Sequence, residues 1–191
     1  IEYFEKLGLM ELTGIDLQGE VIGEIRPRDS WYPIDVATAS FGQGISLTPI
    51  QLITAVNTIP SGGYLLQPYV VSQIIDGKRI IEIKSKVKRQ VFDSKTTKLL
   101  TWMMVNAIEN GESKWVKIPG HEIAGKTGTA QIPVEGHYDP NQTNASFVGF
   151  FPARDPKITM LVVVNKPKTS IYGSETAAPI FFQVAQDLIN Y

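Results

Sequence analysis

In SLTPIQLITAVNTI, Ser46 to Ile59, the apolar residues Ile50, Ile53 and Val56 recur at the spacing of one helical face. Thr48 is placed to cap that helix, Pro49 to occupy its first position and Gln51 to complete a capping box, so the pattern predicts a buried helix to about Ile59. A second stripe, Leu99, Leu100, Met103, Met104, Ala107 and Ile108, predicts a helix opened by Ser94 as N-cap and stopped by Gly111. Its methionines read as core. From about Thr176 the apolar pairs Ile180/Phe181, Val184/Ala185 and Leu188/Ile189 predict a third helix packed on a sheet, with Pro179 in its first turn.

Elsewhere the period falls to two, or the apolar run is continuous. PYVVSQIID and KRIIEIK meet at Asp76-Gly77, a strong hairpin signal. ASFVGFFPA and KITMLVVVN, separated by Arg154-Asp155-Pro156, read as antiparallel strands, the second apolar enough to be central in a sheet. The opening IEYFEKLGL reads as the end of a helix stopped near Gly8, followed by the irregular stretch TGIDLQGE. Pro27 and Pro33 are expected to keep the next segment out of a helix, and PVEGHYDPNQTN is expected to be a polar loop. There is no internal repeat.

Composition narrows the chemistry. In 191 residues, 43% are hydrophobic and 19% charged, enough apolar content for a substantial core in one domain or a large part of one. The formal net charge of -1 gives no footprint for nucleic acid or an anionic membrane. The one basic run, KSKVKRQ from Lys84 to Gln90, lacks stacking aromatics and reads as a solvated strand end and linker. With no cysteine, thiolate zinc sites and cysteine nucleophiles are excluded. His121 and His137 lack partners at metal-ligand spacing, so no metal is expected. No stretch approaches the roughly 20 apolar residues of a membrane span, and the start lacks a signal-peptide pattern. The chain begins abruptly, as an excised piece would. Sequons at Asn141 and Asn144 matter only in a eukaryotic secretory setting.

GHEIAGKTGTAQ, Gly120 to Gln131, satisfies two motifs. Gly120, Gly125, Lys126 and Thr127 match the phosphate-binding G-x-x-x-x-G-K-[ST], while Lys126, Thr127 and Gly128 spell K-T-G. A phosphate loop needs a hydrophobic strand before it and a helix starting at the Lys-Thr. Here Pro119 precedes the motif, and Gly128, Thr129 and Pro133 oppose a helix after it. LVVVN also ends in Asn165 where a magnesium-binding Asp is wanted. The alternation Thr127, Thr129, Gln131 suits a strand instead. On a strand, Lys126 can place an ammonium beside a hydroxyl relay and the two threonines can bind a carboxylate. The backbone can pair with an extended peptide and aim an N–H at an oxyanion, and Gly128 lets substrate approach closely.

ASFGQGISLTPIQLITAVNTIPSGGYLLQPYVV, AGKTGTAQ, SFVGFFPARDPKITMLVVV and AAPIFFQVAQDLI occur in the order and style of the carboxy-terminal half of a class B penicillin-binding protein transpeptidase domain. TGIDLQGE, Thr13 to Glu20, resembles the segment after that family's second motif. The resemblance implies an α/β fold of the α+β type, a serine β-lactamase/transpeptidase-like antiparallel sheet packed with helices, here without its amino-terminal part. It implies a serine D,D-transpeptidase that cross-links peptidoglycan stem peptides, is acylated by β-lactams and needs no cofactor. Lys126 would assist proton transfer. Thr127 and Thr129 would bind the substrate carboxylate, the Thr129 N–H would form half of the oxyanion hole, and Gly128 and Gln131 would lie along the same substrate strand. The segment Phe41 to Thr48 resembles a family landmark without assigned chemistry.

The family's nucleophile lies in S-x-x-K at a helix start, followed by S-x-N. The only S-x-x-K here, Ser85 to Lys88, sits in a β-rich run, and there is no S-x-N. Residues 1–191 are therefore expected to be a carboxy-terminal fragment of the domain, inert alone, exposing surface normally covered by the missing half and able to self-associate. The parent would face the outside of the cytoplasmic membrane on an amino-terminal anchor. A non-catalytic degenerate binding domain is the alternative, and a P-loop nucleotide-binding protein a remote one.

Overall fold

The computed structural model describes residues 1–134 and 137–191, with the side chain of residue 28 left aside. Among these residues β5 (Ala124–Val134), β6 (His137–Phe151) and β7 (Ile158–Asn165) form an antiparallel sheet in the order β5-β6-β7. Helix α5 (Ala177–Asn190) covers one face. There Phe147 and Phe151 of β6 meet Phe181 and Phe182 of the helix, with Phe147 and Phe181 ring centroids 4.5 Å apart. On the other face Ala124, Phe150 and Ala153 pack with Ile59, Met104 and Val105. The alternation of a pleated strand lets β6 serve both layers, since Phe147 and Phe150 point to opposite sides and both are fully buried.

This makes β6 the central strand and β7 an edge, reversing the expected order. β7 is apolar because α5 covers its inward side, while Val163 is 44% exposed. Of the stretch expected as a polar loop, residues 133–134 and 137–144 are strand, and residues 135 and 136 lie outside the described residues. β5 and β6 stay paired antiparallel through it, with a register shift after Gln131 where Ile132 already faces Asp139 and Thr143 faces Gln131. Pro140 falls in that irregularity, and Pro133 is tolerated because β5 is an edge strand lacking a second ladder to break.

The helices follow their signals with local corrections. Helix α1 is Glu2–Lys6, with Gly8 at φ 74° after it. Pro33, expected to block a helix, opens α2 (Pro33–Ala39), because at the first position its missing N–H costs nothing and Asp35 caps the Tyr32 N–H at 2.9 Å. Helix α3 (Pro49–Val56) has the expected Thr48–Gln51 capping box and ends slightly early. Its fully buried positions are Gln51 and Ala55, while the aliphatic face is only half-buried. Gln51 is held by donating to the Leu9 and Glu11 carbonyls and accepting from the Gly23 N–H. Helix α4 (Ser94–Asn110) is capped by Asp93, one residue before the expected cap, since a carboxylate reaches the Thr96 N–H at 2.7 Å. Its methionine stripe divides. Met104 packs and Ile108 is buried, whereas Leu99, Trp102 and Met103 are exposed.

Strands β1 (Tyr64–Gln67) and β4 (Lys86–Gln90) pair antiparallel, so of the run expected as a solvated strand end and linker only Lys84 and Ser85 lie in a connector and the rest is strand. Lys88 and Arg89 reach Glu11 at 2.9 and 2.8 Å and tie the irregular residues after α1 to this pair. Strands β2 (Gln73–Asp76) and β3 (Arg79–Glu82) form the expected hairpin, with Gly77 at φ 58° opening a two-residue loop.

Candidate functional site

Residues 120–131 are where the two motif readings part. The chain enters β5 through buried Ile123 and Ala124, and Lys126-Thr127 lies inside the strand, with no helix following it. A phosphate-binding helix N-terminus is therefore absent, and the P-loop alternative is overturned by backbone conformation. The Asn165 that ends β7 is paired with Asn144 across the sheet.

Gly125 leaves room for a ring. A Cβ there would stand 2.6 Å from the ring of Phe147, which is fully buried. At Gly128 the Cβ position faces Ser146 Oγ on the neighbouring strand, so its lack of a side chain serves the fit between β5 and β6. Thr127, Thr129 and Gln131 stand opposite Phe147, Ala145 and Thr143, which puts all three on one face of the sheet. Lys126 belongs to the other face by alternation, yet its ammonium folds around the strand edge to donate to the Thr127 carbonyl at 3.1 Å and to Thr127 Oγ1 at 3.3 Å. That contact brings the cation and the threonine pair together.

The same contact fixes the direction of the backbone. A Thr127 carbonyl that receives Lys126 points away from β6, and the two-residue period of an antiparallel strand turns the N–H and C=O of Thr129 out of the same edge. The outward edge of β5 thus carries an available N–H beside an ammonium and two hydroxyls.

A part of the site that sequence reasoning missed lies between β7 and α5. Lys166, at φ 49°, donates its N–H to the Thr143 carbonyl, and Thr143 Oγ1 donates to the Ile171 carbonyl at 2.7 Å. Gly173 then donates its N–H to Thr129 Oγ1 at 3.1 Å and sits against the Gly128 carbonyl. Only the isolated glycine in IYGSE hints at this close approach. Because Thr127 Oγ1 accepts from Lys126 and Thr129 Oγ1 from Gly173, each hydroxyl keeps its own proton to donate. Two aligned O–H donors beside an ammonium suit a carboxylate.

Beside the strand, Ala107, Ile108, Gly111, Glu112, Ser113, Gly125, Lys126 and Thr127 line a cavity of about 280 Å³. A larger one of about 450 Å³, between the end of α3, α4 and residues 153–156, includes none of the residues from 125 to 131. Arg154 clamps Glu122 at 2.6 and 3.1 Å just before β5, and that hydrogen bond holds the Glu122 carboxyl below its ordinary value. Ser85, the only serine of an S-x-x-K, lies exposed in the connector between β3 and β4. His121 and His137 are both exposed, and no group of three or more His, Asp or Glu side chains suited to a metal occurs among the described residues.

Residues 1–186 match the model of the penicillin binding protein transpeptidase domain. The chain belongs to that family. It is 37% identical over 190 residues to stage V sporulation protein D of Bacillus subtilis, covering 97% of this chain and 29% of that protein. It is 34% identical over 194 residues to the peptidoglycan D,D-transpeptidase FtsI of Buchnera aphidicola, covering 100% of this chain and 33% of the relative. Among solved structures, penicillin-binding protein 3 of Mycobacterium tuberculosis, in complex with aztreonam, superposes with a TM-score of 0.83 at 25% identity, over 99% of this chain and 45% of that one. The mixed helix and antiparallel-sheet architecture is thus that of a penicillin-binding transpeptidase domain, present in part. The chain spans about a third or less of the length of these two relatives.

Proposed function

We propose that this chain is the carboxy-terminal part of a peptidoglycan D,D-transpeptidase domain and carries one wall of its active site. The observation that bears most weight is the outward edge of β5, where the Lys126 ammonium meets the Thr127 carbonyl and hydroxyl, with the Thr129 hydroxyl on the adjoining face held by Gly173. A stem peptide adding to that edge would place its terminal carboxylate against the two threonines. Its scissile carbonyl would face the Thr129 N–H, which stabilises the oxyanion that forms when a serine attacks. Lys126 would hold the hydrogen-bond network through which the serine proton leaves. Gln131, exposed two residues further along the same face, would contact the substrate beyond the carboxylate. A β-lactam carries the same carboxylate and a strained carbonyl, so it would acylate the same serine.

The nucleophile is assigned to a preceding segment, because Ser85 lies in a connector rather than at a helix N-terminus. On this reading the 191 residues are inactive alone. The open edge of β7 and the exposed Leu99, Trp102 and Met103 would be covered by the missing half of the domain. The parent would work outside the cytoplasmic membrane on its own anchor. In the described residues no helix is long and apolar enough to cross a membrane.

Intact mass after benzylpenicillin treatment tests this, on the 191-residue chain and on a longer form that extends upstream. An adduct on the longer form alone, mapped to an upstream serine, is expected. An adduct on this chain overturns the inactive reading. No adduct on either points to a degenerate, non-catalytic binding domain.

A further inference from the structure

Ser113 follows the end of α4 and is 2% exposed, yet its Oγ has no hydrogen-bond partner among the described residues. The buried hydroxyls of Thr58, Thr97 and Thr143 are satisfied, donating to Ala55, Ser94 and Ile171. A lone unpaired hydroxyl inside a protein needs a cause, and a functional partner is one. Ser113 lines the cavity of about 280 Å³ that Lys126 and Thr127 also line.

Lys126 is exposed, and one of its ammonium protons has no acceptor on the chain among the described residues. Its ammonium carries three protons, and its two acceptors are both on Thr127, at 3.1 and 3.3 Å, the long end of the hydrogen-bond range. The cavity also lies at the carboxy-terminal end of α4, where unpaired carbonyls and the negative pole of the helix favour a cation.

We propose that Ser113 is a positioning residue for Lys126, its hydroxyl accepting the third ammonium proton through a water molecule seated in the cavity. The volume holds a water several times over, and hydroxyl, ammonium and helix carbonyls supply the polar partners that such a water needs. Two anchors on opposite sides, Thr127 on the strand and Ser113 behind it, would stop the long lysine side chain from swinging away from the β5 edge. Only the consequence for catalysis rests on the transpeptidase reading. The contact itself does not.

The test follows the Lys126 ammonium signal by nuclear magnetic resonance in the 191-residue chain, with Ser113→Ala and Ser113→Thr. In Ser113→Ala the ammonium protons are expected to exchange with water about tenfold faster, as loss of one hydrogen bond to a charged group predicts. Ser113→Thr, which keeps the hydroxyl, should restore slow exchange. If Ser113→Ala leaves exchange unchanged and raises the denaturation midpoint, the hydroxyl is a mere unpaired group and the proposal fails. In the longer form, benzylpenicillin acylation should slow about tenfold in Ser113→Ala and recover in Ser113→Thr. A wild-type longer form that is never acylated would sink the transpeptidase reading, while the ammonium exchange would still decide the role of Ser113.

Discussion

Single residues in β5 are constrained from two sides, by the fold behind them and by the edge they present. Gly125 shows the first constraint. A methyl group there meets the Phe147 ring at 2.6 Å, and Phe147 is wedged between Phe181 and Phe182. Gly125→Ala should therefore cost about 1–3 kcal/mol by overpacking. A urea midpoint within error of wild type would show that the ring has room to yield. Thr129 shows the second constraint, because its hydroxyl accepts the Gly173 N–H from a loop more than 40 residues away. The K-T-G triplet was legible as a strand from its β-branched alternation. The fold of Lys126 around the edge was not, since strand periodicity alone sends Lys126 and Thr127 to opposite faces.

At the scale of elements, some local interactions were readable, while the local caps of α2 and α4 and the pairings that depend on distant residues were not. The Thr48–Gln51 capping box and the Asp76-Gly77 hairpin depend on neighbours in sequence and stand as expected. The basic strand β4 depends on Glu11, 77 and 78 residues away from Lys88 and Arg89, a partner that a run reading as a solvated strand end and linker does not reveal. That junction carries a pH signature. Burial alone would push the Glu11 carboxyl up, but hydrogen bonds from Lys88 and Arg89 outweigh it and hold the group below its ordinary value. A carboxyl depressed in the folded state contributes stability above its unfolded value and loses it as pH falls through the folded one. Glu11→Gln should therefore lower stability at neutral pH, modestly because the pair is partly solvated, and flatten the loss of stability on acidification. Parallel acid limbs for the two proteins, in denaturant titrations from neutral pH downward, would contradict this.

The whole molecule is well packed on one side of its sheet and open on others. Phe147, Phe151, Phe181 and Phe182 make a closed aromatic layer with α5. Against this, among the described residues β7 offers an unpaired edge without a charged residue from Ile158 to Val164, and α4 exposes Leu99, Trp102 and Met103 side by side at helical spacing. Such surfaces drive association when nothing covers them. The isolated chain should form dimers or larger species at high concentration by light scattering. Val163→Lys with Leu99→Lys should return it toward monomer. A monomeric wild type across the whole concentration range would refute the proposed exposure of an interior surface.

By itself the sequence determined the helices and hairpins whose caps and turns lie within a few residues of one another, and it carried the family resemblance in segments quoted from end to end. It also placed the K-T-G on a strand, because β-branched residues, Gly128 and Pro133 leave no helix to build there. Only the tertiary structure decided which strand is central, which half of each apolar stripe is covered, and how the loop before α5 orients Thr129. Those outcomes depend on contacts between residues far apart in the chain. An apolar position records that it can be buried, and only packing against a partner decides whether it is.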